Sequence, residues 1–221
     1  MDFTKALTYA PVLYFDENEP FYPCMVGVTE IFEEQASPSF KRTFPSFHEE
    51  LDVILEYAIY WDFDIQHLYE LEHVWVYVDK DGAVIDCEAS FHGRYFKGLL
   101  LDKSNLVDGT HVKLYSQPGK HAFLPKPEMF ELIPNLLTCT NQDAGKDGLL
   151  IPDFLHHILT TNEETQELVS HYLKKFAFTP SMKFLPYRFP KEIFYEWDEV
   201  YHEIPIRIER KLLQIKTLSV Y

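Results

Sequence analysis

The stretch His67-Leu68-Tyr69-Glu70-Leu71-Glu72-His73 places two imidazoles and two carboxylates within a few residues of one another. An extended chain alternates its side chains between two faces, so Glu70, Glu72, Val74, Val76 and Val78 share one face and Leu71, His73, Trp75 and Tyr77 the other. If the valine face is buried, the carboxylates need partners, because an uncompensated buried charge either costs several kcal/mol or is neutralised by protonation. A divalent ion is one such partner, and a basic side chain such as Arg94 or Lys97 is another. His73, on the opposite face, reads as a packed histidine.

More donors lie downstream. Val84, Asp86, Glu88, Ser90 and His92 fall on a common face of the next extended run, opposite Ile85, Cys87, Ala89 and Phe91. His121 follows the Gln117-Pro118-Gly119-Lys120 turn, where Pro then Gly suit the central positions of a type II turn. Imidazoles titrate near neutrality and can move protons at a reacting centre.

The elements that must position these groups are mostly strands. Residues 9 to 15 and 112 to 116 read as strands, and 55 to 63 is extended. Residues 71 to 91 form a hairpin about Asp79-Lys80-Asp81-Gly82. Ser46 with Glu49 resembles a capping box, which predicts a short helix near Phe47. Glu163 to Phe176 has helical spacing with Asn162 as its cap, and Phe184 to Pro190 reads as an aromatic loop. Lys191 to Tyr201 and Ile206 to Leu218 fit helix or strand equally. The fold class expected is α+β, an antiparallel β-sandwich core with peripheral helices mostly toward the C-terminus. It is read as a single domain over residues 1–221, β-rich over about 9–125 and helix-rich over about 126–221.

Composition narrows the function classes. The 221 residues are 46% hydrophobic and 16% aromatic, enough for a sizeable core. A formal charge of −15, from 35 acidic against 20 basic side chains, repels phosphate backbones, so no nucleic-acid partner is expected. No apolar run is long enough for a transmembrane segment. The N-terminus lacks a signal pattern, and Cys24, Cys87 and Cys139 fit neither a disulfide framework nor a zinc knuckle, so the expected setting is cytoplasmic. Cys87 reads as an inert buried thiol. Gly-x-Ser-x-Gly, phosphate-loop and dinucleotide fingerprints are absent. His156-His157, beside apolar Phe154 and Leu155, reads as one core and one surface histidine. Trp197 to Glu203 reads as a solvated helix face.

Glu70-Leu71-Glu72-His73-Val74 resembles the Asp-Trp-Glu-His-Val signature of the necrosis- and ethylene-inducing-peptide-like proteins, with Glu70 for its Asp and Leu71 for its Trp. Ser90-Phe91-His92-Gly93 is similar to their Ser-Ala-His-Gly segment, and Gly119-Lys120-His121-Ala122-Phe123 to their His-Ala-Phe segment. A plant and fungal vacuolar-protein-sorting-associated family shows a comparable motif order. The resemblance covers roughly residues 55 to 124. It implies a β-sandwich holding a divalent cation through His67, Glu70 and Glu72, with Asp62 or Asp64 added and His92 and His121 as neighbours. In the toxin family it further implies a site that engages membrane sphingolipid.

The leading expectation is a divalent-metal-dependent enzyme, hydrolytic in type, with Mn, Mg, Zn or Fe on His67, Glu70 and Glu72 and with His92 or His121 as the catalytic proton carrier. The alternative is a module whose ion organises a small-molecule, glycan or lipid-head-group ligand without turnover. A second alternative is a metal-free structural domain.

Overall fold

The computed structural model describes residues 2–151 and 155–219. Its class is α+β. The larger sheet has six strands in the order β13 (Phe194–Glu196), β2 (Met25–Ile31), β5 (Leu51–Phe63), β6 (Leu68–Asp79), β7 (Val84–Phe91) and β8 (Arg94–Lys97). All its pairings are antiparallel except β13 with β2. The smaller sheet runs β11 (Phe123–Leu124), β10 (His111–Ser116), β1 (Val12–Asp16) and β12 (Phe184–Tyr187), with β9 (Leu106–Val107) also on β10. Here β1 and β10 are parallel neighbours. A ribbon of β3 (Gln35–Ala36) and β4 (Thr43–Phe44) stands apart. Neither large sheet closes into a barrel.

Burial on both faces makes β5 and β6 the centre of the molecule. On the inner face Leu55, Tyr57, Ile59 and Trp61, with Val74 and Val76, join Leu13, Phe15, Leu114 and Phe123 of the smaller sheet in one buried cluster. On the outer face Ile54 and Trp75 pack with Ile31 and Phe44 beneath the β3–β4 ribbon. Arg42 is wedged there, its guanidinium 4.0–4.5 Å from the ring centres of Phe44, Trp75 and Tyr95 and 2.7 Å from Glu88 Oε2. Such stacking suits a planar cation whose charge is answered at one edge.

The helices are α1 (Thr4–Tyr9), α2 (Leu136–Thr140), α3 (Glu163–Leu173) and α4 (Trp197–Ser219). Asn162 caps α3, its side chain accepting from Thr165 N at 2.8 Å. The two segments that sequence periodicity leaves open become a short turn, strand β13 and one helix that runs on through Pro205. Buried Trp197, Val200, Ile204, Ile208 and Ile215 repeat at helical spacing along α4.

Three expectations change. No helix forms near Phe47: Ser46 Oγ donates to Glu34 Oε2 at 2.6 Å instead of capping, and Leu51 already opens β5. Residues 184 to 187 are a strand because they supply β1 with its second neighbour. His156 and His157 are both exposed, with His156 Nε2 2.6 Å from Ile151 O, so neither is in the core; Phe154 lies outside the described residues. His73, by contrast, is packed as expected, 5.6 Å from Trp75 and nearly coplanar with it, and burial pushes its pKa down to about 3. Cys87 is fully buried, and burial raises its thiol pKa well above the usual range.

The seat of α4 on the larger sheet is tight. A Cβ at Gly27 would lie 2.9 Å from Trp197 Cε3 and 3.2 Å from both Trp197 Cα and Val200 Cγ2. Gly27→Ala is therefore expected to lower stability by about 2 kcal/mol through overpacking, measured by urea denaturation. An unchanged midpoint would mean that α4 does not press on β2.

Candidate metal centre

Strand β5 stops at Phe63 and β6 starts at Leu68, leaving Asp64-Ile65-Gln66-His67 as the connection. Asp64 folds this turn on itself: its N–H donates to His67 O at 3.0 Å, and its Oδ1 accepts from Gln66 N at 2.6 Å. Two other segments clamp it. Ile65 N donates to Gly119 O at 2.9 Å, Gly145 N to Ile65 O at 2.8 Å, and Leu68 N to Gly148 O at 2.8 Å. Gly119 has φ +68°, as the third residue of a type II turn requires, and a Cβ there would meet Ile65 Cγ2 at 2.8 Å. Lys120 N closes that turn on Gln117 O at 3.0 Å.

The clamp carries Lys120 onto Asp64. Lys120 Nζ donates to Asp64 Oδ1 at 2.7 Å, while Asp64 Oδ2 is buried and has no hydrogen-bond partner among the described residues. Burial opposes the Asp64 charge, yet His67, Lys120 and His121 together hold its pKa below the usual carboxylate value. His67 Nδ1 lies 3.4 Å from Leu68 O. A carbonyl only accepts, so Nδ1 carries a proton, and Nε2 is the ring nitrogen turned toward the carboxylates. Nε2 is 3.7 Å from Asp64 Oδ1 and 3.6 Å from Glu70 Oε2.

Asp64, His67 and Glu70 thus offer one ligand atom each within 4.8 Å of one another. Ligands on opposite sides of an ion with bonds of about 2.1 Å stand about 4.2 Å apart, so the two shorter separations already suit a shared cation. The orphaned Asp64 Oδ2 and the oriented His67 ring fit the same group. With one imidazole and two carboxylates, the donor set accommodates Mn, Zn, Fe or Mg.

Glu72 stands beside this cluster. It is on the inner face as alternation requires, but its carboxylate takes the Ser90 hydroxyl, which in turn accepts from His73 N at 2.6 Å. Burial first, then the charges of Glu70 and Asp64, raise its pKa well above the ordinary 4.5. Asp62 goes elsewhere. It is bound on the α4 side by Arg207, Nε to Oδ1 and Nη2 to Oδ2 both at 2.8 Å, with Lys211 at 3.1 Å from Oδ2. Despite desolvation, those two cations hold its pKa low.

The two histidines expected to move protons are not with the three-residue group. His121 has no solvent exposure; it stacks on Trp61 with ring centres 4.7 Å apart and points Nε2 at Glu19 Oε1, 3.3 Å away. His92 sits at the β7–β8 turn with φ +51° and reaches Gln117 Oε1 at 2.8 Å. Cross-strand register explains part of this. Val76 faces Cys87 and Val74 faces Ala89, so Asp86 and Glu88 belong with Tyr77 and Trp75 on the outer face, where Arg42 and Lys97 meet them. An open cleft of about 370 Å³ adjoins the turn, lined by Gln66, His92, Gln117, Lys120 and Asn135 beside Phe91. Lys120 and Gln66 escape a sequence reading that looks for His and acidic residues. The usable signal was their position next to motif histidines.

No protein-family model and no curated protein matches the chain. Among solved structures, NLPPya in complex with glucosamine is similar at 19% identity, covering 55% of this chain and 66% of that one, with a TM-score of 0.38. NLPPya in complex with mannosamine gives the same identity and coverage with a TM-score of 0.37. A structure described as a toxin fold for microbial attack and plant defense has 18% identity over 50% of this chain and 60% of that one, with a TM-score of 0.34. The chain spans less than two-thirds of the length of these proteins. These neighbours are necrosis- and ethylene-inducing peptide-like proteins, and the likeness is a partial one of fold.

Glu72 gives the ion-free chain a signature in pH. A buried carboxyl whose folded pKa is raised binds more protons folded than unfolded, so stability falls as pH climbs from 4.5 toward the raised value. Glu72→Gln removes that loss. In EDTA, thermal melts across pH should show the variant gaining on the native chain as pH rises. A variant that loses ground with rising pH would sink this account of Glu72.

Proposed function

We propose that the chain holds a divalent cation on Asp64, His67 and Glu70 and uses it to seat a glycan or similar polyhydroxylated ligand in the adjoining cleft, without turnover. The observation that carries the reading is that Asp64, His67 and Glu70 bring one ligand atom each within 4.8 Å of one another, while the buried Asp64 Oδ2 has no hydrogen-bond partner among the described residues. An unsatisfied buried carboxylate oxygen costs stability that a cation would recover. Glu72, its pKa raised by burial and by the neighbouring carboxylates, would ionise more readily beside the ion and tighten the site.

Binding is favoured over hydrolysis by where the proton carriers lie. His121 is sealed under Trp61 and Glu19, and His92 is engaged by Gln117. A general base must come within hydrogen-bond reach of the group it deprotonates, and neither is gathered with the three candidate ligands. The carboxamides of Gln66, Gln117 and Asn135 suit a polyol, since each amide can both donate to and accept from neighbouring hydroxyls, and Phe91 offers an apolar face. A reducing, cytoplasmic setting belongs to this reading and is supported by three unbridged cysteines, two of them buried.

Elemental analysis of the full chain purified without chelator should find a bound divalent metal. Ion at about 100 times its Kd should add about 2.7 kcal/mol of stability, reversed by EDTA. Asp64→Asn and Glu70→Gln should each weaken ion binding at least about tenfold. No metal together with no EDTA effect on melting would overturn the cation site. Release of cleavage products from a bound glycan, lost in Glu70→Gln, would transfer the site to the hydrolases.

A further inference from the structure

The cleft beside the candidate metal centre takes its polar lining mainly from carboxamides, His92 and Lys120. The chain carries 35 acidic residues, yet among the described residues no carboxylate lines the cleft; the charged group in that lining is the Lys120 ammonium. Lys120 is nine-tenths buried and is placed by the Gln117–Lys120 turn, not by a mobile surface stem. Asp64 takes one of its three N–H groups and is its single hydrogen-bond acceptor among the described residues. Gln66, 5% exposed, also lines the cleft, and its Nε2 is buried without an acceptor. Two donors of one wall are therefore left wanting an acceptor from a ligand.

We infer that this cleft selects a sugar acid, a pyranose whose carboxylate is received by the Lys120 ammonium and the Gln66 amide while its hydroxyls meet Gln117, Asn135 and His92. The inference rests on the proposed cation site for its full strength. With a divalent ion seated, the ion answers Asp64 and Glu70, and the Lys120 charge is left for the ligand. An ammonium-bearing sugar is disfavoured in the same place, because it brings a donor and a like charge to a wall of donors. The net charge of −15 does not reverse this order. Its field is screened within about 8 Å at physiological salt, whereas the contact with Lys120 is direct and shielded from water.

The probes are D-galacturonate, D-galactose and D-galactosamine, which keep one ring stereochemistry and change the charge. Binding to the full chain is measured by titration calorimetry with the ion and again in EDTA. Galacturonate is expected to bind about tenfold tighter than galactose, the ratio that about 1.4 kcal/mol produces, and galactosamine no tighter than galactose. Lys120→Met and Gln66→Leu should each erase the preference for the acid. Gln66→Leu leaves the Gln66 backbone hydrogen bonds in place, so it tests the cleft even where loss of Lys120 prevents folding. Equal affinities, a preference for galactosamine, no binding of any of the three, or an acid preference that survives both substitutions would each overturn the inference. An acid preference of the same size with and without EDTA would uphold the cleft and count against the cation site. Ion-dependent binding that ignores the charge of the sugar would do the reverse.

Discussion

The Asp64 carboxylate is the point on which this end of the molecule depends. Its Oδ1 folds the β5–β6 turn through Gln66 N and fastens the 117–120 turn through Lys120. Charge-assisted hydrogen bonds of this kind contribute about 1.5–3 kcal/mol each, which sets them against the cost of holding a fully buried carboxylate. That balance leaves Oδ2 over, buried and without a hydrogen-bond partner among the described residues. The same residue is thus a folding clamp and the first candidate ligand.

Why so much charge can sit at the edge of a hydrophobic core follows from the two faces of the large sheet. On the outer face Arg42 answers Glu88, Arg207 and Lys211 answer Asp62, and the buried Glu56 takes the Ser37 and Ser39 hydroxyls and the Trp75 indole N–H. On the inner face, Glu70 and Asp64 meet Lys120 and His67, with no further salt-bridge partner among the described residues, and Glu72 stands beside them. Acid therefore exceeds base at this buried place. Such an excess raises the pKa of Glu72 and can be relieved by a bound cation.

The geometry also separates two roles that the motifs run together. Histidines 92 and 121 are near the site in sequence pattern and in space, but His121 is a core ring stacked flat on Trp61 and His92 is a wall of the cleft. What remains at the site is a set of holders: carboxylates, one oriented imidazole, an ammonium and carboxamides. In the proposed reading Asp64, which Lys120 and the Gln66 backbone both grip, links the cation to the cleft.

Periodicity in the sequence by itself determined the 71–91 hairpin, the shared face of Glu70 and Glu72, the burial of His73 and Cys87, the type II turn at Pro118-Gly119 and the Asn162 cap. These are local properties, set by alternation and by turn and cap chemistry within a few residues. Tertiary structure decided what local rules leave open. It gave Asp62 to Arg207 and Lys211, because α4 returns to the outer face of β5. It chose Asp64 over Asp62 for the site, since the strand ends at Phe63 and the turn swings the next carboxylate inward. It made residues 184 to 187 a strand, and it brought Lys120 to Asp64 across 56 positions of chain. Each of these depends on which partner another segment delivers, and a partner distant in sequence leaves no periodic trace at the residue that meets it.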